Sequence, residues 1–232
     1  MMEIRPAEAR FKADHGWLTS YHSFSFADYY DPDNSGFGPL RVLNDDFVAG
    51  HRGFAPHSHR EMEIVSIVLE GKLKHEDSTG ETAVTGFGEV QRMSAGTGVR
   101  HSEINPSDRP VNFLQLWFHP DTPGLPPSYE ARPYDASKLD NALLPVVSSV
   151  PGFGAASIHQ DLTLYLSRLE AGKALSFTQP TGRRIYLFVL EGALTLNGAT
   201  DVKRRDDVRI TDTPELAIQA SADSLFMLID LP

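Results

Sequence analysis

Nine histidines are present in the chain, and three of them fall in two short clusters beside carboxylates. The first cluster is Pro56-His57-Ser58-His59, followed by Arg60-Glu61-Met62-Glu63. On an extended strand, side chains two apart share a face. His57 and His59 therefore point together, and Glu61 and Glu63 keep that parity if the strand stays regular. The second cluster is Gly96-Thr97-Gly98-Val99-Arg100-His101-Ser102-Glu103. Here His101 and Glu103 stand two apart, behind glycines that suit a tight turn. Neutral imidazole is a common ligand of divalent transition metals. Two such strands brought together would gather three imidazoles and a carboxylate around one point. That donor set suits iron, copper, manganese, nickel, cobalt or zinc and leaves positions for water or substrate. Spacing alone leaves the carboxylate open between Glu63 and Glu103.

Other reactive groups are few. There is no cysteine, which excludes a disulfide framework, a thiolate metal site and a cysteine nucleophile. No glycine-rich phosphate loop or dinucleotide fingerprint is present. His15, His22, His51, His119 and His159 are isolated and read as surface or core histidines. His75 alternates with Leu73 on one strand and is a candidate for the pocket wall. Gln115 shares the parity of Phe113 and Trp117 and is a candidate for the interior, whereas Phe24, Phe26, Phe113 and Trp117 read as core.

The elements that position these residues are short. Glycine (18) and proline (16) punctuate strand-length runs rich in β-branched and aromatic residues. Examples are 64–69, 111–118, 185–190 and 224–229. Helical periodicity is scarce, and the best helix candidate is Ala136 to Leu144. The chain is read as all-β, sandwich or barrel. It also repeats itself. Glu63-Ile-Val-Ser-Ile-Val-Leu-Glu-Gly-Lys-Leu73 resembles Arg184-Ile-Tyr-Leu-Phe-Val-Leu-Glu-Gly-Ala-Leu194, about half the chain away. Two copies of one domain are expected. The join falls in His119 to Pro133, whose five prolines cannot form a helix or a central strand. The division is thus 1–134 with the metal site and 135–232 without it. At the offset of the repeat, His57, His59 and Glu63 correspond to Thr178, Pro180 and Arg184, so the second copy is expected to be metal-free.

Length and charge bound the rest. With 232 residues, 21 basic and 31 acidic, the net charge is −10, which repels polyanions. The basic pairs Arg183-Arg184 and Lys203-Arg204-Arg205 read as solvated turns, so no direct nucleic-acid contact is expected. No stretch approaches a membrane span. Met1 to Pro6 has no apolar region behind it, so no secretory signal is read and the cytoplasm is expected.

The motifs resemble a known family. Gly53-x3-His57-x-His59-x3-Glu63-x7-Gly71 resembles the first cupin motif, and Gly88 to Gly96 with His101-x3-Asn105 the second. Cupins are small β-barrels with a metal inside, and two copies form a bicupin. The resemblance sharpens to the pirin family in His22-Ser-Phe-Ser-Phe-Ala-Asp-Tyr-Tyr-Asp31, Leu40-Arg-Val-Leu-Asn-Asp-Asp46 and His57-Ser-His-Arg60. It continues in His75-Glu-Asp77, Ala95 to Glu103 and Leu114-Gln-Leu-Trp117. The second half resembles pirins only loosely. For pirins, the resemblance implies His57, His59, His101 and Glu103 as metal ligands; cupins at large would use Glu63.

The family resemblance also implies an activity. Bacterial pirin-like proteins are associated with quercetin 2,3-dioxygenase activity, so the expected partners are a flavonol and O2. Glu103 is the expected catalytic group, as ligand and proton acceptor, with Glu63 as the alternative base. The rival expectation is a non-catalytic, metal-binding regulatory protein that engages a protein partner. A monomer is the default, since each barrel can close without a partner.

Overall fold

A computed structural model describes residues 1–232, and the apolar runs punctuated by glycine and proline become strands. In chain order these are β1 (Met2–Arg5), β2 (Phe11–Asp14), β3 (Leu18–His22), β4 (Leu40–Val48), β5 (Gly53–His59) and β6 (Glu63–Glu70). They continue with β7 (Lys72–Asp77), β8 (Thr82–Gly86), β9 (Glu89–Ser94), β10 (Val99–Ile104), β11 (Val111–Phe118) and β12 (Ser128–Pro133). Next come β13 (Leu144–Ser148), β14 (Ala156–Ser157), β15 (Thr163–Leu169), β16 (Ala174–Thr178) and β17 (Arg184–Glu191). The last are β18 (Ala193–Leu196), β19 (Thr200–Lys203), β20 (Asp207–Thr211), β21 (Glu215–Ala220) and β22 (Ser224–Leu231).

The chain forms two compact units. One comprises Phe11–Tyr134 with Ala156–Gln160, and the other Asp135–Ala155 and Asp161–Pro232 with Met1–Arg10. A single cut at 134/135 is therefore amended by two segments. β1 adds as an antiparallel edge strand to β20, which assigns the first residues to the C-terminal unit. Glu63, in the N-terminal unit, accepts a hydrogen bond from the backbone N–H of His159. No helix is long and apolar enough to cross a membrane.

Each unit is two antiparallel sheets packed face to face. The N-terminal unit has a sheet in the order β12-β9-β6-β11-β4-β3-β2 and another in the order β5-β10-β7-β8. The C-terminal unit repeats this, with β20-β17-β22-β15-β13 in one sheet and β16-β21-β18-β19 in the other. The repeat seen in sequence is thus a repeat of topology, with β6 and β7 corresponding to β17 and β18.

The two interiors differ. Leu187, Leu194, Leu196, Phe177, Ile218 and Leu228 fill the C-terminal barrel as one apolar cluster. In the N-terminal barrel the apolar cluster of Leu18, Val48, Val68, Leu73, Val111 and Phe113 occupies only part of the interior. Cross-strand register aligns the rest. Gln115 pairs with Ser66 and Asn44, as Leu228 pairs with Leu187 and Tyr165. Glu103 pairs with His75, as Ile218 pairs with Leu196. A buried aliphatic side chain contributes roughly 1.5–3 kcal/mol, so replacing several by polar groups forgoes several kcal/mol. Such a concession marks the N-terminal interior as functional.

Three local expectations are corrected. Ala136–Leu139 is only a 3-10 turn, capped by Asp135, and Asn141 in the left-handed region (φ 53°) stops it before β13 begins. Within the proline-rich stretch, Ser128–Pro133 pairs with β9 as a sheet-edge strand, the position where proline is tolerated. The basic pairs are not simply solvated turns. Arg183 bridges Asp161 and Asp230, each at 2.7 Å, and Arg205 is buried.

Candidate metal centre

β5 carries His57 and His59, and β10 carries His101 and Glu103. They pair antiparallel, with His101 opposite His57 and Glu103 opposite Phe54. The register slips between these pairs, so Ala55 and Pro56 form a β-bulge facing Ser102 alone. Pro56 has no N–H to give to a ladder, which suits that position. Phe54 and His57, three apart, thereby face the same interior. The C-terminal barrel has no such bulge between β16 and β21. Register therefore places Phe177 and Leu216 at the positions of His57 and His101, and Gln179 at that of His59. The correspondence to Thr178 and Pro180 is out by one residue for this reason. Gly53 lets the two strands approach, since a Cβ there would lie 2.1 Å from the Glu103 carbonyl oxygen.

His57, His59 and His101 converge. Their ligand atoms lie within 4.8 Å of one another, and their ring centroids are 4.5 to 4.9 Å apart. Hydrogen bonds set the tautomers. His57 Nδ1 lies 2.8 Å from the Ala55 carbonyl oxygen, which can only accept, so Nδ1 carries the proton and Nε2 keeps the lone pair. His75 Nε2 donates to Asp77 at 2.9 Å, and His75 Nδ1 lies 3.4 Å from His101 Nδ1. His75 therefore accepts, weakly, from His101 Nδ1–H. That leaves the lone pair on His101 Nε2, a buried atom without a hydrogen-bond partner. Burial, reinforced by the neighbouring imidazoles, pushes His59 down to about 4 and His101 to about 3. His59 and His101 are therefore neutral donors at neutral pH. An inward-facing set of imidazoles with an orphaned lone pair fits a first-row divalent metal.

Glu103 forms a second cluster with His75 and His101. Its carboxylate accepts from Ser66 Oγ at 3.1 Å and from Gln115 Nε2. Gln115 in turn accepts from Trp117 Nε1 at 3.2 Å. Burial pushes the Glu103 carboxyl up to about 7, although these hydrogen bonds pull it down. Trp117 meets His59 edge-on at 4.8 Å, and Tyr129 stacks on His75 at 4.1 Å.

The other carboxylates of the first motif lie elsewhere. β5 ends at His59, and Glu61 turns through the left-handed region (φ 50°), so the regular parity does not reach Glu61 or Glu63. Glu61 accepts from the Gly124 N–H. Glu63 is buried and accepts from Ser94 Oγ at 2.9 Å and from the His159 N–H at 3.1 Å. His159, read as isolated, thus has a structural partner in Glu63. Asp77, which the sequence shows only as part of His75-Glu-Asp77, acquires its role from the same-face spacing to His75.

A duplicated antiparallel barrel, with converging imidazoles in the first copy and apolar side chains in the second, defines a metal-binding bicupin. Residues 4–118 match the pirin family, and residues 145–231 match the quercetinase C-terminal cupin domain. The chain is 41% identical to a quercetin 2,3-dioxygenase of Escherichia coli K12, covering 100% of this chain and 99% of that protein. It is 36% identical to a pirin-like protein of Caulobacter vibrioides, covering 99% of each. The crystal structure of YhhW from Escherichia coli has a TM-score of 0.96 at 41% identity, covering 100% of this chain and 98% of that one. That of the bacterial pirin YhhW in complex with nickel(II) has a TM-score of 0.95 at 39% identity, covering 100% and 99%. The chain belongs to the pirin family.

Proposed function

We propose that this protein is a cytoplasmic, metal-dependent dioxygenase that cleaves flavonols such as quercetin with O2. In this reading His57, His59, His101 and Glu103 hold the metal, and the 135–232 domain carries none. Two oxygen atoms enter the substrate, the central ring opens, and one ring carbon leaves as carbon monoxide. The observation that carries the reading is the convergence of three imidazoles, with the buried Glu103 carboxylate clustered on one of them, His101. Similarity to quercetin 2,3-dioxygenases over the whole chain supports the same reaction.

A bound transition metal supplies a Lewis-acid centre for the substrate's 3-hydroxyl oxygen and a redox partner for O2. The protein's own groups do the rest. Glu103 takes the 3-hydroxyl proton, a role a carboxylate held beside the substrate oxygen can fill. Ser66 and Gln115 fix the orientation of its two oxygens. Trp117 packs against His59 and Tyr129 against His75, which keeps water from those two rings and strengthens electrostatic interactions among the buried groups.

The test is oxygen uptake together with loss of flavonol absorbance, using protein loaded in turn with Fe(II), Cu(II), Mn(II) and Ni(II). Turnover that disappears in His57→Ala and His101→Ala supports the enzyme. Absence of turnover with every metal, alongside a protein partner recovered by pull-down, would favour the regulatory reading instead.

A further inference from the structure

A cavity of about 280 Å3 opens in the N-terminal unit, and none of His57, His59, His101 or Glu103 lines it. Its apolar wall includes Phe11, Phe26 and Phe54. Set among them are His22, Asn44 and Asp46, each more than nine-tenths buried. His22 Nδ1, Asn44 Oδ1 and Asp46 Oδ1 have no hydrogen-bond partner. Ser20 Oγ, buried and likewise unpaired, lines the same wall beside the Asp46 carboxyl. Unpaired buried polar atoms are rare and costly, so four around one cavity call for an explanation. Acceptors predominate among them. The Asn44 oxygen accepts, a neutral His22 nitrogen can accept as well, the Asp46 carboxylate accepts when ionised, and the Ser20 hydroxyl can turn either way. Burial keeps His22 neutral, with a pKa of about 4.

We propose that this cavity is a subsite for one hydroxylated aromatic ring, with the ring against the phenylalanines and its hydroxyls donating to Asn44, Asp46 and His22. The size agrees: a cavity of roughly 150 Å3 takes benzene, so this one holds a ring with two hydroxyls but not a whole flavonol, whose fused bicycle carries that ring as a pendant. The remainder of the molecule must lie outside the cavity. Two routes join cavity and metal centre. Gln115 lines the cavity and donates to Glu103. Edge-on ring contacts also run from His22 to Phe26 at 5.2 Å, to Trp117 at 5.3 Å and to His59 at 4.8 Å. The inference rests on the dioxygenase reading for the identity of the whole molecule, a flavonol bearing a dihydroxyphenyl ring.

The test compares quercetin with galangin, the same flavonol without the two hydroxyls on its pendant ring. Binding to the metal-free, full-length protein is measured by calorimetry. Wild type is expected to bind quercetin at least 10-fold more tightly, because a site built to receive hydroxyls leaves buried acceptors unpaired when they are missing. Asn44→Leu and His22→Phe are expected to reduce that preference to within about threefold while leaving galangin binding within twofold. Equal binding of the two flavonols by wild type overturns the proposal, as does a preference that survives both substitutions. If either variant fails to fold, the wild-type preference and the remaining variant decide. Oxygen uptake by the metal-loaded protein separates the two readings. A quercetin preference without turnover of either flavonol keeps the subsite and removes the dioxygenase; turnover of both with equal KM does the reverse.

Discussion

Replacing His75 with phenylalanine isolates the hydrogen bonding behind the metal centre. The substitution keeps a flat ring of similar size on Tyr129, where the two rings lie 4.1 Å apart and 13° from parallel. It removes the lone pair that accepts from His101 Nδ1–H and the donor that reaches Asp77. Metal on His101 Nε2 requires the proton on Nδ1, so the metal-bound protein would hold a buried N–H without an acceptor. That costs about 1–3 kcal/mol. The metal-free protein escapes most of it, because His101 can then move its proton to the other nitrogen. The penalty therefore falls on binding, and at about 1.4 kcal/mol per tenfold it corresponds to a site weaker by about 5- to 140-fold, which brackets the roughly 10–100-fold usual when a hydrogen-bond partner behind a metal ligand is lost. The assay is competition for Ni(II) against a chromogenic chelator at pH 7.5, with circular dichroism of the metal-free protein as the fold control. Asp77→Asn is expected to shift affinity in the same direction by less. An affinity within twofold of wild type in a folded His75→Phe protein would refute the tautomer argument. Tighter binding would place the metal on the other nitrogen.

Further outcomes follow from the same geometry. Glu63→Gln should leave metal stoichiometry unchanged by elemental analysis but lower the melting temperature, because Glu63 receives Ser94 and the His159 backbone; loss of metal would return Glu63 to the ligand set. With Glu103 near pKa 7 in the metal-free protein, it is largely protonated at pH 6. Metal binding there should release about one proton, seen as a buffer-dependent calorimetric heat that Glu103→Gln abolishes. Burial raises Asp46 from 3.8 to about 7, so its contribution to stability is full below pH 3.8 and is lost as pH rises through 7. Asp46→Asn should therefore stabilise the metal-free protein at pH 8 by on the order of 2–4 kcal/mol in urea unfolding, and by much less at pH 4; an equal gain at both would refute it. Gly53→Ala should lower both stability and metal content, since its Cβ would meet the Glu103 carbonyl oxygen.

Much of the fold could be read from local pattern. The β-branched runs bounded by glycine and proline are strands because such side chains suit a pleated, half-buried surface. The Glu-Gly repeat at 70–71 and 191–192 marks the same hairpin in both barrels. What failed was continuity along the chain. Strand parity would reach Glu63 only if the strand stayed regular, and it does not, because Glu61 turns through the left-handed region. Nor does parity carry unchanged from one copy to the other, because Pro56 sits in a bulge that the second copy lacks. A proline after Phe54-Ala55 signals that a ladder bond is missing; only the partner strand shows that the side chains then change face. His22, Asn44 and Asp46 stand in the family motifs, but as polar residues in strand-length segments they become informative only once they are known to be buried.

The sequence by itself determined the donors. It set which residues could hold a metal, that His57 and His59 would share a face, and that two related all-β domains would follow one another. Those are properties of neighbours two to four apart, where backbone geometry dictates direction. The tertiary structure decided which carboxylate stands beside the imidazoles, which nitrogen of His101 is left without a partner, and that His75 and Asp77 stand behind it. It also decided that polar atoms from β3 and β4 surround one cavity. These depend on cross-strand register between segments tens of residues apart, and register is set by the packing of the whole barrel rather than by any short stretch of chain.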